Sequence, residues 1–143
     1  MSEAARVSTA APRAQAWRVL ADVEQWPSWS SSVVAVTRED VDEHTAYRIE
    51  QPPLPHALWT LTQWQPDRGF TWQTRGASSV LTASYVVAED PTDGAAPGTV
   101  ISVDLQWSGP MAWMARATYG PVSLRFAQMH LDALRERCEV NRP

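Results

Sequence analysis

The sequence contains no lysine, and all 12 of its basic residues are arginine. Without a lysine amine, the chain has no group for Schiff-base chemistry and no lysine general base. The formal net charge of −4 argues against nucleic acid as a partner, because nucleic acid is bound by clustered basic surface. We therefore expect no lysine-dependent catalysis and no nucleic-acid partner.

Cysteine and long apolar runs are equally scarce. Cys138 is the single cysteine, so no disulfide forms within the chain and nothing indicates an oxidising compartment. No stretch approaches 18 uncharged apolar residues, and the N-terminal residues lack the basic-then-apolar order of a signal peptide. We therefore expect a cytoplasmic protein with no integral membrane association.

Motifs for common chemistry are also absent. No His, Cys, Asp or Glu cluster has the spacing of metal ligands, so no metal site is expected. The nucleophile elbow G-x-S-x-G, the phosphate loop and the dinucleotide pattern G-x-G-x-x-G do not occur. The sequence thus predicts no cofactor.

Tryptophan, by contrast, is abundant, with 8 Trp against 3 Tyr and 2 Phe. Trp has a very large apolar surface with one hydrogen-bond donor at its edge. Ordinary core packing explains any one of them, but eight are hard to pack in a solid core, and a cavity would accommodate them more easily. The 143 residues, 44% of them hydrophobic, predict one domain over 1–143 with a sizeable core.

Hydrophobic periodicity predicts the order of the elements. An extended segment at 4–10 is followed by a helix from Pro12, and a second short helix ends at the Trp-Pro-x-Trp corner. From Val33 the period becomes two, which predicts strands at 32–39, 44–51, 57–65, 69–75, 79–89 and 98–108. Short turns without helices between these strands predict an antiparallel meander.

The C-terminal third returns to a helical period. Gly120-Pro121 predicts a break between a short helix at 111–118 and a long helix at 121–137. The long helix carries one apolar stripe of Leu124, Ala127, Leu131, Leu134 and Cys138, and a second stripe of Val122, Phe126, Met129 and Ala133. Two apolar faces predict a helix covered on both sides, or one face that meets a ligand or another subunit.

Three segments carry a resemblance to a known family: residues 17–36, WQPDRGFTW at 64–72 and HLDALRER at 130–137. With the order of elements, they resemble the START/Bet v 1-like (SRPBCC, helix-grip) superfamily, and most closely its polyketide cyclase/dehydrase-type branch. The resemblance implies an α+β helix-grip fold, in which a curved antiparallel sheet wraps around a long C-terminal helix and two short helices follow the first strand. It also implies a deep cavity between the sheet and the last helix.

Strand alternation indicates which side chains face this cavity. The strand charges Arg48, Glu50, Arg75 and Asp104 fall on the opposite face, which leaves an apolar and aromatic inward set. In 57–65 the inward set is either Trp59-Leu61-Gln63 or Leu58-Thr60-Thr62-Trp64. The expected ligand-binding residues are Trp29, Phe70, Trp72, Tyr85, Val103, Leu105, Met114 and Leu124. Tyr85, Thr74 and Gln63 are the candidate polar groups of the inward set.

The candidates for chemistry are few. Tyr85 and His130 are the acid–base candidates. His130 lies between the two apolar stripes, although a partly exposed helix histidine is the more common explanation of such a residue. Met114 belongs to a group with Met111, Trp113 and Tyr119 that suits either an adaptable lid over an apolar ligand or ordinary helix packing.

Three functional hypotheses follow. The leading one is binding or transport of a hydrophobic small molecule (aromatic, polyketide-like, isoprenoid or lipid), held by apolar surface and one or two polar contacts. The resemblance implies an alternative, an aromatase/cyclase-type enzyme that folds a polyketide-like substrate by proximity. A third is an interaction module, in which the stripe containing Phe126 binds a partner or forms a homodimer.

Overall fold

The computed structural model describes residues 2–52, 54–76, 79–90 and 98–140. The strands are β1 Ser2–Thr9, β2 Ala35–Arg38, β3 Ala46–Glu50, β4 Ala57–Gln65, β5 Gly69–Arg75, β6 Val80–Asp90 and β7 Gly98–Ser108. The helices are α1 Arg13–Ala21, a 3₁₀ helix at Val23–Ser28, and α2 Ala112–Val140.

The strands form one seven-stranded sheet in the order β1-β7-β6-β5-β4-β3-β2, and every neighbouring pair is antiparallel. The last six strands follow one another as a meander, and β1 pairs with β7 at the other edge. Helix α2 packs against β1, β7 and α1. The predicted α+β helix-grip fold, with two short helices after the first strand, is therefore confirmed.

The core lies on the face of the sheet that meets the helices. In β7, Ile101, Val103, Leu105 and Trp107 are buried, whereas Gln106 and Ser108 are exposed. The same alternation runs along β6, since a pleated strand directs successive side chains to opposite faces. This part of the inward set was predicted correctly from the sequence.

Strand β4, whose inward face the sequence left open, contains an irregularity. Leu61 pairs with Trp72, but Gln63 pairs with Thr71, the next residue along. Thr62 is therefore an additional residue in β4, as in a β-bulge, and the alternation of side chains shifts by one position there.

Each of the two alternative registers is correct on one side of this bulge. Trp59 lies on the inward face before it, and beyond it Trp64 pairs with Phe70. The Trp64 and Phe70 rings stack with 5.5 Å between centroids, and Trp64 lies 5.0 Å from the Trp17 ring of α1. Gln63, named as a candidate polar group, falls on the exposed side.

The predicted break at Gly120-Pro121 is wrong, because α2 is continuous over Ala112–Val140 with Pro121 inside it. A proline removes one amide donor, and packing of the flanking turns outweighs that loss. Gly120 is buried where α2 crosses β1, and a β-carbon there would lie 3.3 Å from Arg116 Cγ and 3.5 Å from Glu3 Oε2. Gly120 thus allows a close contact between α2 and β1, and a 3.3 Å ion pair joins Arg116 to Glu3 beside it.

Candidate ligand-binding site

A cavity of about 570 Å³ lies between the sheet and α2. This volume is within the range of small-molecule sites in proteins. Its wall combines inward side chains of β3 to β7 with residues of the 3₁₀ helix and of α2. The aromatic members of this wall are Trp26, Trp59, Trp72, Tyr85, Trp107 and Phe126.

Trp72 is the centre of an aromatic network in this wall. Its ring centroid lies 5.5 Å from Trp26, 5.4 Å from Trp59 and 6.1 Å from Tyr85. Edge-to-face and tilted contacts of this kind stabilise aromatic pairs beyond the burial of their area. The rings therefore support one another and present a preformed apolar surface.

Other lining residues are exposed and surround the opening. We call this group the rim: Pro55, His56, Arg75, Gly76, Met114, Thr118 and Tyr119. It is formed by the β3–β4 connection, the end of β5 and the first turns of α2. Among the described residues, no Asp or Glu lines the cavity.

Arg75 corrects one sequence-based expectation. Alternation placed it on the face away from the cavity, yet it is among the lining residues. Arg75 is the last residue of β5, and there its long side chain borders the opening rather than the wall. Arg48, Glu50 and Asp104 are not among the lining residues, in accordance with the predicted face.

His130 is the most buried polar side chain of the wall, with 2% of its surface exposed. Its Nδ1 lies 2.9 Å from the Ser30 hydroxyl, which lies 3.2 Å from the Ser32 hydroxyl. Its ring is 4.2 Å from that of Trp26 and stacks on Trp29 at 5.0 Å. Burial lowers the pKa of His130 to about 3, so the imidazole is neutral. Its Nε2 is buried and has no hydrogen-bond partner in the described part of the chain.

Tyr85 lies in the wall on β6, with its ring stacked on Phe70 at 4.8 Å. Burial raises the pKa of the Tyr85 phenol, which therefore stays protonated. Efficient proton transfer requires a pKa near the working pH, and neither Tyr85 nor His130 has one. Both side chains are suited to hydrogen bonding with a bound molecule.

The structure places four of the predicted ligand-binding residues at the cavity: Trp72, Tyr85, Leu105 and Met114. Thr74, a candidate polar group, is also there. The remaining four lie outside its lining: Trp29, Phe70, Val103 and Leu124.

These four have packing roles. Phe70 and Val103 face the same side as the wall but are buried in the core, where Phe70 contacts Trp17 of α1. Trp29 packs against His130, and Leu124 is partly buried against the core. Alternation identifies the face of a strand, but it does not indicate how far along that face the cavity extends.

Trp107 and Trp26 were not among the predicted ligand-binding residues. Trp107 belongs to the inward set of β7 and lines the cavity, so the alternation already contained a signal for it. Its Nε1 donor is buried without a hydrogen-bond partner among the described residues. Trp26 donates from Nε1 to the Leu20 backbone oxygen at 3.0 Å, which fixes its ring in the wall.

The stripe proposed for protein interaction is divided between two environments. Phe126 is buried and lines the cavity, whereas 42% of Met129 is exposed. On the other stripe, Leu131, Leu134 and Cys138 are fully buried. Because Phe126 faces inward, the stripe presents less apolar surface to a partner than the sequence indicated, and the homodimer stays a prediction.

Within residues 2–52, 54–76, 79–90 and 98–140, no group of three or more His, Cys, Asp or Glu side chains is arranged to hold a metal ion. In the same ranges, no helix combines the length and hydropathy needed to cross a membrane.

A family model described as polyketide cyclase / dehydrase and lipid transport matches residues 3–139. No curated protein matches the chain. The match covers every element described above, from β1 to α2, so it concerns the whole sheet and the cavity together.

Solved structures share this fold. The di-domain ARO/CYC StfQ from the steffimycin biosynthetic pathway is 11% identical with a TM-score of 0.77, over 97% of this chain and 50% of that chain. The chain thus spans about half the length of that protein. The Zhui aromatase/cyclase from Streptomyces sp. R1128 is 17% identical with a TM-score of 0.71, covering 97% and 93%. The protein TTHA0849 from Thermus thermophilus is 13% identical with a TM-score of 0.74, covering 100% of both chains.

Proposed function

The chain belongs to the polyketide cyclase / dehydrase and lipid transport family, and on this basis we propose that it binds a hydrophobic, aromatic or polyketide-like small molecule in its cavity. The observation that carries the proposal is the aromatic wall around about 570 Å³ of space, with no carboxylate among the described lining residues. Such a wall suits an apolar ligand oriented by a few hydrogen bonds.

Desolvation supplies the driving force in this mechanism. Each 100 Å² of apolar ligand surface removed from water contributes roughly 2.5 kcal/mol to binding. The loss of translational and rotational freedom of the ligand opposes this contribution. The network around Trp72 is already assembled, so little ordering of the wall is needed. Tyr85 and His130 add directional contacts that fix the orientation of the ligand.

Two alanines of β6 provide a matched test. Ala83 is 2% exposed and lines the cavity, whereas Ala88 of the same strand is exposed. With 2-acetylnaphthalene as the probe, Ala83→Phe should weaken binding at least about tenfold because the new ring occupies the cavity. Ala88→Phe should leave the affinity unchanged. Equal affinities for the two variants would contradict binding in this cavity.

Mass spectrometry of compounds released by denaturing the purified protein addresses the natural ligand. A recurrent aromatic or polyketide-like compound, lost in Ala83→Phe and retained in Ala88→Phe, is the expected result. A compound retained equally by both variants would place binding elsewhere on the protein.

The second candidate is an aromatase/cyclase-type reaction. Its supporting observation is that Tyr85 and His130, the acid–base candidates, both line the cavity. Because neither pKa suits proton transfer at neutral pH, such a reaction would depend on folding of the substrate by the wall. A synthetic poly-β-ketone should then give one cyclised product in excess with the wild type and the uncatalysed mixture with Ala83→Phe. The uncatalysed mixture with both proteins would contradict the cyclisation reaction and leave ligand binding as the one proposed function.

A further inference from the structure

We propose that Ser30 and Ser32 hold His130 as a neutral imidazole with its proton on Nε2, and that this N–H selects ligands that carry a carbonyl or similar oxygen acceptor. The inference rests on the proposed function and specifies the ligand class of the same cavity. Ser30 and Ser32 are positioning residues in this arrangement, and His130 is the residue that contacts the ligand.

The protons of the serine–histidine chain can be counted in two ways. In the first, Ser32 donates to Ser30 and Ser30 donates to His130 Nδ1, over the 3.2 Å and 2.9 Å separations. Both hydroxyl protons are then used, and the imidazole proton lies on Nε2. One buried group, the Nε2–H donor, stays without a partner among the described residues.

In the second arrangement, His130 Nδ1 donates to Ser30, and Ser30 donates to Ser32. The Ser32 hydroxyl proton then has no acceptor in the described part of the chain, and Ser32 is 7% exposed. Each arrangement therefore leaves one buried proton without an acceptor, but only the imidazole proton of the first belongs to a residue that lines the cavity, where an acceptor can satisfy it. Since each unsatisfied buried polar group destabilises the protein, the first arrangement is favoured.

The position of the imidazole makes the ligand its available partner. His130 is 2% exposed and lines the cavity, so a molecule in the cavity is the partner nearest to its ring. The rings of Trp26 and Trp29 lie 4.2 and 5.0 Å away and hold its orientation. A ligand oxygen next to the ring would satisfy the Nε2–H.

Trp107 gives an independent indication of the same ligand chemistry. It is 8% exposed, lines the cavity, and its Nε1–H has no partner among the described residues. Indole nitrogen is a donor only, so this group also requires an acceptor. The described lining contains no carboxylate to balance a cationic ligand, whereas Arg75 lies at the rim. Acceptor-bearing, uncharged or anionic ligands therefore fit best.

The tautomer can be measured without any ligand. In protein labelled with ¹⁵N-histidine, a long-range ¹H–¹⁵N correlation spectrum should show His130 with a protonated Nε2 and an unprotonated Nδ1 at neutral pH. A proton on Nδ1, or an imidazolium, would overturn the proposal. Ser30→Ala should shift the population toward the other tautomer, and Ser30→Thr, which keeps the hydroxyl, should restore it.

Selectivity for an oxygen acceptor needs two probes of the same shape. In 2-isopropylnaphthalene a methyl group replaces the carbonyl oxygen of 2-acetylnaphthalene. The wild type should bind the ketone at least about tenfold more tightly, since the hydrocarbon leaves a buried donor unpaired. His130→Phe should reduce this preference to the part that Trp107 supplies, while still binding the hydrocarbon.

The outcomes separate the two proposals. Equal wild-type affinities for the ketone and the hydrocarbon would overturn the selection by His130 and leave the proposed binding function intact. Failure of both probes to bind would overturn the binding function together with the ligand selection. The tautomer measured in the ligand-free protein would still test the positioning roles of Ser30 and Ser32.

Discussion

A β-carbon added to Gly69 would overlap the backbone oxygen of Tyr85. Gly69 begins β5 with φ at +152°, and it pairs with Val86 of β6. The backbone of β5 thus approaches the cavity-wall strand β6 more closely than any residue with a side chain permits. The turn before β5 therefore depends on this glycine.

We predict that Gly69→Ala lowers the free energy of unfolding by at least about 2 kcal/mol, because the methyl group forces β5 and β6 apart and φ becomes strained. Gly76→Ala is the control, since its β-carbon would meet Ser79 Oγ at 3.4 Å, an ordinary contact. Denaturant unfolding followed by circular dichroism measures both. A loss below about 0.5 kcal/mol in Gly69→Ala would contradict the close approach.

The neutral state of His130 predicts a pH dependence of stability. Burial lowers the pKa of His130 from 6.5 to about 3, so between these values the unfolded chain binds a proton that the folded protein does not. Above pH 6.5 His130 is therefore neutral in both states and does not change the free energy of unfolding. Below pH 6.5 its contribution lowers that free energy by about 1.4 kcal/mol for each pH unit.

Measuring unfolding of the wild type and His130→Gln from pH 7.5 to 4, a range of ~3.5 units, isolates this contribution from that of the carboxylates. The variant should lose less stability on acidification. His44→Gln removes an exposed histidine instead and controls for the loss of an imidazole. Parallel curves for the wild type and His130→Gln would show that the buried imidazole is protonated in the folded state.

Trp26 is predicted to be the least replaceable tryptophan of the wall. Its Nε1 donates to the buried Leu20 oxygen, and its ring contacts Trp72, Tyr85 and His130. Trp26→Phe should cost about 3 kcal/mol of unfolding free energy, since it leaves that carbonyl unpaired and a void behind the ring. Trp113→Phe, at a residue 61% exposed, should change it by less than about 0.5 kcal/mol. Similar losses at both positions would refute the role of the Leu20 hydrogen bond.

Cys138 should be unreactive in the folded protein. It is fully buried, and burial, with a smaller effect of the Glu139 charge, raises the pKa of its thiol to about 11. At pH 8 the thiolate fraction is then roughly a hundredfold below that of a free thiol. Ellman's reagent should modify the native protein slowly and the denatured protein at once. Rapid modification under native conditions would indicate local opening of the end of α2.

Much of the fold could be predicted because its signals are local. Alternation in β6 and β7 identified the buried face, and the order of elements indicated a helix packed on a sheet. The bulge at Thr62 was not predictable, since a period of two does not show where an additional residue interrupts it. The continuity of α2 through Pro121 depends on packing against β1, which no local pattern records.

The site was predicted less completely than the fold, for two physical reasons. Phe70 and Trp72 share one face of β5, but only Trp72 reaches the cavity, because depth along the sheet is set by the helices that cover it. Ser30 and His130 are 100 residues apart in the chain, so their contact is a product of the folded topology. The position of His130 between the two apolar stripes indicated it as a candidate, but no sequence pattern indicated the serines that orient its ring.

The division between the wall and the rim has a consequence for how such a protein diversifies in evolution. The wall belongs to the hydrogen-bonded strands and to the helix faces packed on them, where substitutions also destabilise the core. The rim belongs mostly to connections and exposed helix turns, such as His56, Gly76 and Met114. Mutations there are tolerated by the scaffold, as they are in loops generally. New ligand preferences can therefore arise at the entrance while the inherited aromatic interior stays the same.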